Sequence, residues 1–285
     1  MEGEQSRDWL ASLTILDRTA DLADRDALHA FALDELLCKR AGEGGPPVCH
    51  LWRHPRAFVL GLKDSRLPGA AKASRYLAEA GYEAVVRHSG GAAVPLDPGV
   101  VNVSLILPKA QTADMRFHGD FERMYELVSL ALDKLGCRAD KGEIAGSYCP
   151  GDYDLSIGGR KFCGIAQRRQ VRSYIVQAFI VAEGSGAERA AEVREFYRLA
   201  GEGADPAAYP AVVPDRTASL EELAGLPPGT GAAAFAEAVK QTIRDRHLML
   251  GAPVPDAAWR MPSDEEVRAA AGSLRARYGQ ILMES

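Results

Sequence analysis

Gly146-Ser147-Tyr148-Cys149-Pro150-Gly151-Asp152-Tyr153-Asp154-Leu155-Ser156-Ile157-Gly158-Gly159-Arg160-Lys161-Phe162-Cys163-Gly164 sets a cysteine in a Gly/Pro loop, then a strand, a tight turn and a return strand carrying a lysine. Gly158-Gly159 between Ile157 and Arg160 is a two-residue hairpin signal, because glycine enters φ > 0 without a Cβ clash. A turn that tight predicts Ser156 opposite Lys161 and Asp154 opposite Cys163. Lys161 and Cys163 then share strand parity, so both are expected to face one cavity, with Cys163 as a packing residue. A loop thiol near an ammonium suits covalent acyl transfer, since positive charge favours thiolate and thiolate is the nucleophile. Taken alone, these residues leave Cys149 open between nucleophile and buried structural thiol, and Lys161 between activating cation and solvated turn residue.

Outward from this hairpin the pattern is strands and helices in alternation. Downstream, the β-branched run from Tyr174 to Val181 reads as a strand. Upstream, Val100 to Leu107 alternates: Val101, Val103, Leu105 and Leu107 form an apolar face, and Asn102 and Ser104 interrupt the other. Phe121, Met124, Tyr125, Val128, Leu132 and Leu135 follow helical spacing and stop at Gly136. Leu13 to Leu16 is expected as an edge strand, and residues 26–40 as a helix with Lys39 and Arg40 at its end. Residues 48–52 and 57–60 read as a hairpin broken at Pro55. Residues 70–80 are expected to be helical, and Tyr82 to Arg87 a strand ending in the turn Ser89-Gly90-Gly91. Beyond about residue 186 the chain becomes Ala/Glu/Arg-rich, with helices at 187–200 and 232–250 and a capping-box pattern from Ser263 to Glu266. The loop from Gly201 to Pro214 is a possible boundary. The fold class implied is α+β, a mixed sheet flanked by helices.

Composition narrows the function classes. The chain has 285 residues, 47% hydrophobic and 26% charged, with a net charge of -5. That balance argues against a general nucleic-acid binder. The polar, acidic start lacks signal-peptide features, and no apolar run reaches membrane-spanning length, so a cytoplasmic protein without a membrane partner is expected. Five cysteines without a CxxC pair favour neither a disulfide framework nor a zinc site. His50 and His54 lie four apart on an extended segment, so no metal is expected. Arg160, Arg168, Arg169 and Arg172 form a basic cluster, open between a docking patch and a solvated strand edge. His88 reads as a solvent-facing turn residue, and Asp152 and Asp154 as turn residues that bond loop amides.

Several segments in order resemble the biotin/lipoate protein ligase superfamily over residues 25–185. Ala32-Leu33-Asp34-Glu35-Leu36-Leu37 is similar to its N-terminal helix, and Trp52 with Val59-Leu60-Gly61 to the segment after it. Arg87-His88-Ser89-Gly90-Gly91 resembles its Arg-x-Ser-Gly-Gly substrate loop. Asp97 with Val101-Asn102-Val103-Ser104-Leu105 looks like the next strand, and Gly159-Arg160-Lys161-Phe162-Cys163-Gly164 like the segment that carries the family lysine. The cysteine loop is similar to the branch of octanoyltransferases that acts through a thiol, above all to those that draw on the glycine cleavage H protein. Pro95 stands where ATP-using ligases often have histidine.

The resemblance implies a domain plan: a segment 1–24, a catalytic domain 25–250 and a helical extension 251–285. It implies transfer of octanoate from a lysine of the H protein to lysines of lipoyl domains of 2-oxoacid dehydrogenases, without a cofactor. Cys149 is then the nucleophile that carries the acyl thioester, and Lys161 lowers the thiol pKa and orients the acyl carbonyl. Arg87, Ser89, Gly90, Gly91, Asn102 and Gly164 bind substrate. Val101, Ile106 and Phe162 are candidates for the acyl slot. Transfer from an octanoyl acyl carrier protein and ATP-dependent ligation of lipoate stay open as alternatives, and donor choice lies in surface contacts.

Overall fold

The computed structural model describes residues 8–109, 117–251 and 261–279. The chain builds two sheets. The strands are β1 (Thr14–Arg18), β2 (Val48–Trp52), β3 (Ala57–Leu60), β4 (Glu83–Val86), β5 (Val94–Leu96), β6 (Val100–Pro108), β7 (Asp140–Lys141), β8 (Leu155–Ile157), β9 (Arg160–Arg169) and β10 (Ser173–Val181). Seven form a sheet in the order β1-β2-β6-β10-β9-β8-β7, and three form a second in the order β4-β3-β5. Both are mixed: β1 and β2 run parallel, as do β3 and β4. The helices are α1 (Ala27–Gly42), α2 (Ala70–Glu79), α3 (Phe117–Lys134), α4 (Gly186–Ala200), α5 (Leu220–Ala224), α6 (Gly231–Leu250) and α7 (Asp264–Tyr278).

Local signals explain most boundaries. The Asp26 carboxylate accepts the Leu28 N–H and starts α1, and Ser263 and Glu266 complete the capping box of α7. The apolar alternation of β6 places Val101, Val103, Leu105 and Leu107 against Met124, Val128 and Leu132 of α3 and Phe235 and Val239 of α6. The other face of the large sheet, through Ile106, Ile175 and Phe179, packs on α1 and on the small sheet. Fully burying a Val, Leu, Ile or Phe side chain stabilises by about 1.5–3 kcal/mol, so these two layers dominate the fold.

Three expectations are corrected. Residues 48–52 and 57–60 are not a hairpin: β2 pairs with β6 in the large sheet, whereas β3 pairs with β4 and β5 in the small one. The break at Pro55 is a change of sheet. In the β8–β9 hairpin Ser156 does lie opposite Lys161, but Leu155, not Asp154, lies opposite Cys163, because the register shifts between Leu155 and Ser156. Such a bulge also breaks the two-residue parity. Phe162 and Cys163 both enter the core under α3 and α6, so Cys163 does not face the cavity of Lys161. The four arginines do not form a cluster. Arg160 opens a ten-residue strand, about 30 Å long at 3.3 Å per residue, and Arg168 and Arg169 lie at its far end. There Arg168 is paired with Glu35 and Arg169 with Asp120. The loop 201–214 packs onto α4, with Tyr209 stacked on Tyr197 and Val212 buried. No helix among the described residues is long and apolar enough to cross a membrane.

Candidate active site

Cys149 has a φ of 48°, and it is the one non-glycine residue among those described with a positive φ. The cause lies next to it. Lys161 Nζ donates to the carbonyl oxygens of both Tyr148, at 2.9 Å, and Cys149, at 2.5 Å. Successive carbonyls of an extended chain point opposite ways, so both meet one ammonium only where the chain reverses. The left-handed conformation costs a non-glycine residue about 1–2 kcal/mol, a strain kept when surrounding contacts over-determine it. Here they do: the Tyr148 ring stacks on Phe179 with centroids 5.6 Å apart, and the Gly146 carbonyl accepts the Val213 N–H.

Lys161 is fully buried and forms an ion pair with Asp154 at 2.8 Å. Burial pushes the Asp154 carboxyl up to about 6, against the pull of Lys161 and of the Gly151 N–H. The ammonium therefore ties two loop carbonyls and one carboxylate into a single buried knot. Gly164 lies beside it on the same face; a Cβ there would stand 2.5 Å from the Phe179 ring and 3.1 Å from Lys161 Nζ.

The Cys149 Sγ accepts the Ala92 N–H at 3.2 Å and the Arg87 Nη2–H at 3.4 Å. The cation hydrogen-bonded to the sulfur is thus Arg87, while Lys161 binds the backbone that carries it. Arg87 also donates to the Ala92 carbonyl at 2.8 Å, which locks the turn. Gly91 makes the approach possible: its φ is 97°, and a Cβ would meet Arg87 Nη2 at 2.3 Å and Sγ at 3.0 Å. Gly91→Ala is accordingly expected to destabilise the chain by about 1–3 kcal/mol and to displace the Ala92 amide from the sulfur. Thermal unfolding together with iodoacetamide labelling of Cys149 checks this; wild-type values for both would refute it.

Cys149 lines one cavity, and its neighbours Pro150 and Ala92 line a second. The first is a slot with apolar walls from Phe31, Trp52, Val94, Leu96 and Phe179. Its polar side is Asn102, Ser104 and Gln177. Ser104 Oγ and Gln177 Nε2 both donate to the buried Asp34, which also faces His50 Nδ1 at 2.8 Å. The other cavity is an open groove bordered by His88–Ala92, Pro150 and residues 207–210.

The sequence-predicted site residues divide accordingly. Arg87, Cys149, Asn102 and Gly164 line the slot; Ser89, Gly90 and Gly91 line the groove; Lys161 lies beneath the cysteine loop. Val101 and Phe162 belong to the opposite core layer, and Ile106 does not line the slot, so the expected slot residues are corrected. The His88 side chain is not solvent-facing: it contacts Glu35 at 2.7 Å and stacks on Tyr278 of α7. His54 faces the Arg25 carbonyl, away from His50. Sequence reasoning passed over Asp34, although a buried acid on an apolar helix face was a legible signal. Asp64 and Tyr197, which brace the Arg87–Ala93 loop, carried no signal, because they lie on separate elements.

An apolar slot lined by a thiol, with an open groove beside it, suits acyl transfer. The chain belongs to the lipoyl protein ligase A/B catalytic domain family, whose model matches residues 26–244. Within it, the chain is 46% identical over 202 residues to the octanoyl-[GcvH]:protein N-octanoyltransferase of Geobacillus kaustophilus, covering 70% of this chain and 71% of that one. It is 45% identical over 214 residues to the enzyme of the same name from Anoxybacillus flavithermus, with 73% and 76% covered. Among solved structures, lipoate-protein ligase A bound with ATP matches with a TM-score of 0.64 at 19% identity, covering 95% of this chain and 98% of that one. A chain from the structural analysis of a bi-partite lipoate protein ligase and its E2 lipoyl domain from Thermoplasma acidophilum matches with the same TM-score and identity, covering 96% and 97%. These structures speak for the fold.

Proposed function

We propose that this chain transfers octanoyl groups from a lysine of the glycine cleavage H protein to lysines of lipoyl domains, through a thioester on Cys149. The observation that carries the reading is the seat of the thiol, in an apolar slot beside an open groove. In this reading the apolar walls of the slot receive the eight-carbon chain, and the lysine arm enters from the groove beside Pro150 and Ala92. Relatives of the stated name, above 40% identical, support the donor.

In the first half-reaction the Cys149 sulfur attacks the amide carbonyl carbon. A C–S bond forms and the carbonyl oxygen takes the negative charge; in this reading the Ala92 N–H and Arg87, which bond the sulfur beforehand, turn to that oxygen. Collapse of the oxyanion restores the carbonyl and breaks the C–N bond, and the leaving lysine amine takes the proton lost by the thiol. In the second half-reaction the acceptor lysine amine attacks the thioester, a C–N bond forms, the C–S bond breaks, and the amine proton returns to sulfur. An amide is consumed and an amide is made, so no nucleotide is needed.

Octanoyl H protein and octanoyl acyl carrier protein, each incubated with the enzyme and a lipoyl domain in the absence of ATP, separate the alternatives. Transfer from the H protein is expected, with one octanoyl group on the enzyme by intact mass. Transfer from the carrier protein alone would change the donor. A strict requirement for ATP with free octanoate or lipoate would make the protein a ligase.

A further inference from the structure

The Ala92 N–H is useful only if the loop that carries it is held still, and that loop is held from outside. The Tyr197 hydroxyl, on α4, accepts the Ala93 N–H at 3.1 Å and donates to Asp64 Oδ1 at 2.9 Å. Asp64 Oδ2 in turn accepts the Gly61 N–H at 2.8 Å. Tyr197 and Asp64 are both buried. One residue further back, Ala92 directs its N–H at the sulfur of Cys149 and its carbonyl at Arg87. We infer that Tyr197 and Asp64 are positioning residues for the acyl-transfer step, which hold the Ala92 amide and Arg87 against the Cys149 sulfur.

The packing sets the geometry. Gly61 lies so close to the loop that a Cβ would stand 2.1 Å from the Gly91 carbonyl. The Gly61–Asp64 turn and the Gly91–Ala93 turn are therefore in backbone contact, and the tyrosine hydroxyl is the polar bolt through both. The ring is fixed independently, stacked on Tyr209 with centroids 5.5 Å apart and edge-on to Phe196. A hydroxyl that donates to a carboxylate becomes a better acceptor, because hydrogen bonds in a chain polarise one another. Buried Asp64 is drawn upward by desolvation, and Tyr197 is held well above its ordinary value by burial and by Asp64, so the hydroxyl keeps its proton. The Tyr197 and Asp64 side-chain oxygens bond the neighbouring turns, not the Cys149 sulfur. Asp64 also borders the groove and attracts Arg87, so Tyr197→Phe, which leaves that carboxylate in place, is the variant that reads the Ala92–Ala93 backbone.

The inference rests on the thioester reading above, and the test separates the two. Tyr197→Phe removes the oxygen and keeps the stacked ring. Iodoacetamide labelling of Cys149 and single-turnover octanoylation of Cys149 by octanoyl H protein are measured on the variant, beside thermal unfolding. Both rates are expected to fall about three- to tenfold, the worth of one buried hydrogen bond, with the KM for donor unchanged. Asp64→Asn, which keeps one carbonyl oxygen for its two donors, is expected to give intermediate rates. Tyr82→Phe removes another buried tyrosine hydroxyl, bonded to Glu192 of the same helix, without touching the loop. Its rates should equal wild type, so a general loss of packing would reveal itself there. Wild-type labelling and octanoylation in both Tyr197→Phe and Asp64→Asn overturn the positioning role. If Tyr197→Phe fails to fold, Asp64→Asn decides alone by the same two rates. Failure of the wild-type enzyme to accept octanoate from H protein overturns the function but leaves the labelling arm to judge the loop.

Discussion

Cys149→Ala is expected to lose octanoyl transfer by about a thousandfold or more, the scale seen when a covalent nucleophile is removed. It should also lose the hydroxylamine-labile octanoyl adduct. The fold should survive, because the variant leaves only the Ala92 N–H and one Arg87 N–H without a partner, about 1–3 kcal/mol for a buried donor. The control is Cys163→Ala. That thiol is fully buried among apolar residues, and burial drives its ionisation far above the ordinary range, so it has neither access nor thiolate. Cys163→Ala should retain transfer and the adduct. Near wild-type turnover by Cys149→Ala, or loss of the adduct in Cys163→Ala alone, would place the nucleophile elsewhere.

Lys161→Met should cost both stability and activity, through different contacts. Removing one partner of a buried ion pair leaves an uncompensated charge and costs about 3–5 kcal/mol. Here it also strips the Tyr148 and Cys149 carbonyls of their donor. The pH dependence has a definite sign. The Asp154 carboxyl already stands at about 6 in the folded protein, above the ordinary carboxylate value of 3.8, and loss of the ammonium raises it further. A group raised in the folded state stabilises below its unfolded pKa, and that contribution is lost as pH rises through the folded value. The stability lost in Lys161→Met is therefore expected to be smallest near pH 4, where only the two unpaired carbonyls count, and to grow above pH 6. Adding Asp154→Asn should recover the part of the loss that grows with pH, because no bare charge remains, and little of the transfer, because the cysteine loop still lacks its clamp. Denaturant midpoints from pH 4 to 8 for the single and double variants test this. Equal loss at all pH values, or a double variant as unstable as the single, would remove the ion pair from the account. Iodoacetamide labelling completes the comparison. Arg87→Ala should slow labelling directly, by removing the cation bonded to sulfur, whereas Lys161→Met acts through a displaced loop.

The order of elements, the α+β class and the nearness of the Cys149 loop to Lys161 were legible in the chain. Gly158-Gly159 announced a hairpin, the alternation at Val101–Leu107 announced a face, and the Cys149 loop with Lys161 beyond the turn announced the site. Those signals are local: a turn needs φ > 0 and a sheet face needs a period of two, and both are written within ten residues. The slot walls, the arginine cluster and the partner of the thiol were not legible, because each depends on which strand neighbours which. Residues 48–60 switch sheets instead of folding back, and that switch moves Trp52, Val94 and Leu96 to the slot. One bulge at Leu155–Ser156 turns Cys163 away from Lys161 and defeats a parity count that assumed a regular ladder. The chain by itself determined that a loop thiol precedes a tight hairpin whose return strand carries a lysine; only the structure decided that this lysine is buried beneath the cysteine loop. Only the tertiary structure decided that Arg87 and the Ala92 amide, some sixty residues away, face the sulfur while the lysine holds the loop. Contacts across that separation are set by the packing of two sheets against each other, and no local pattern records them.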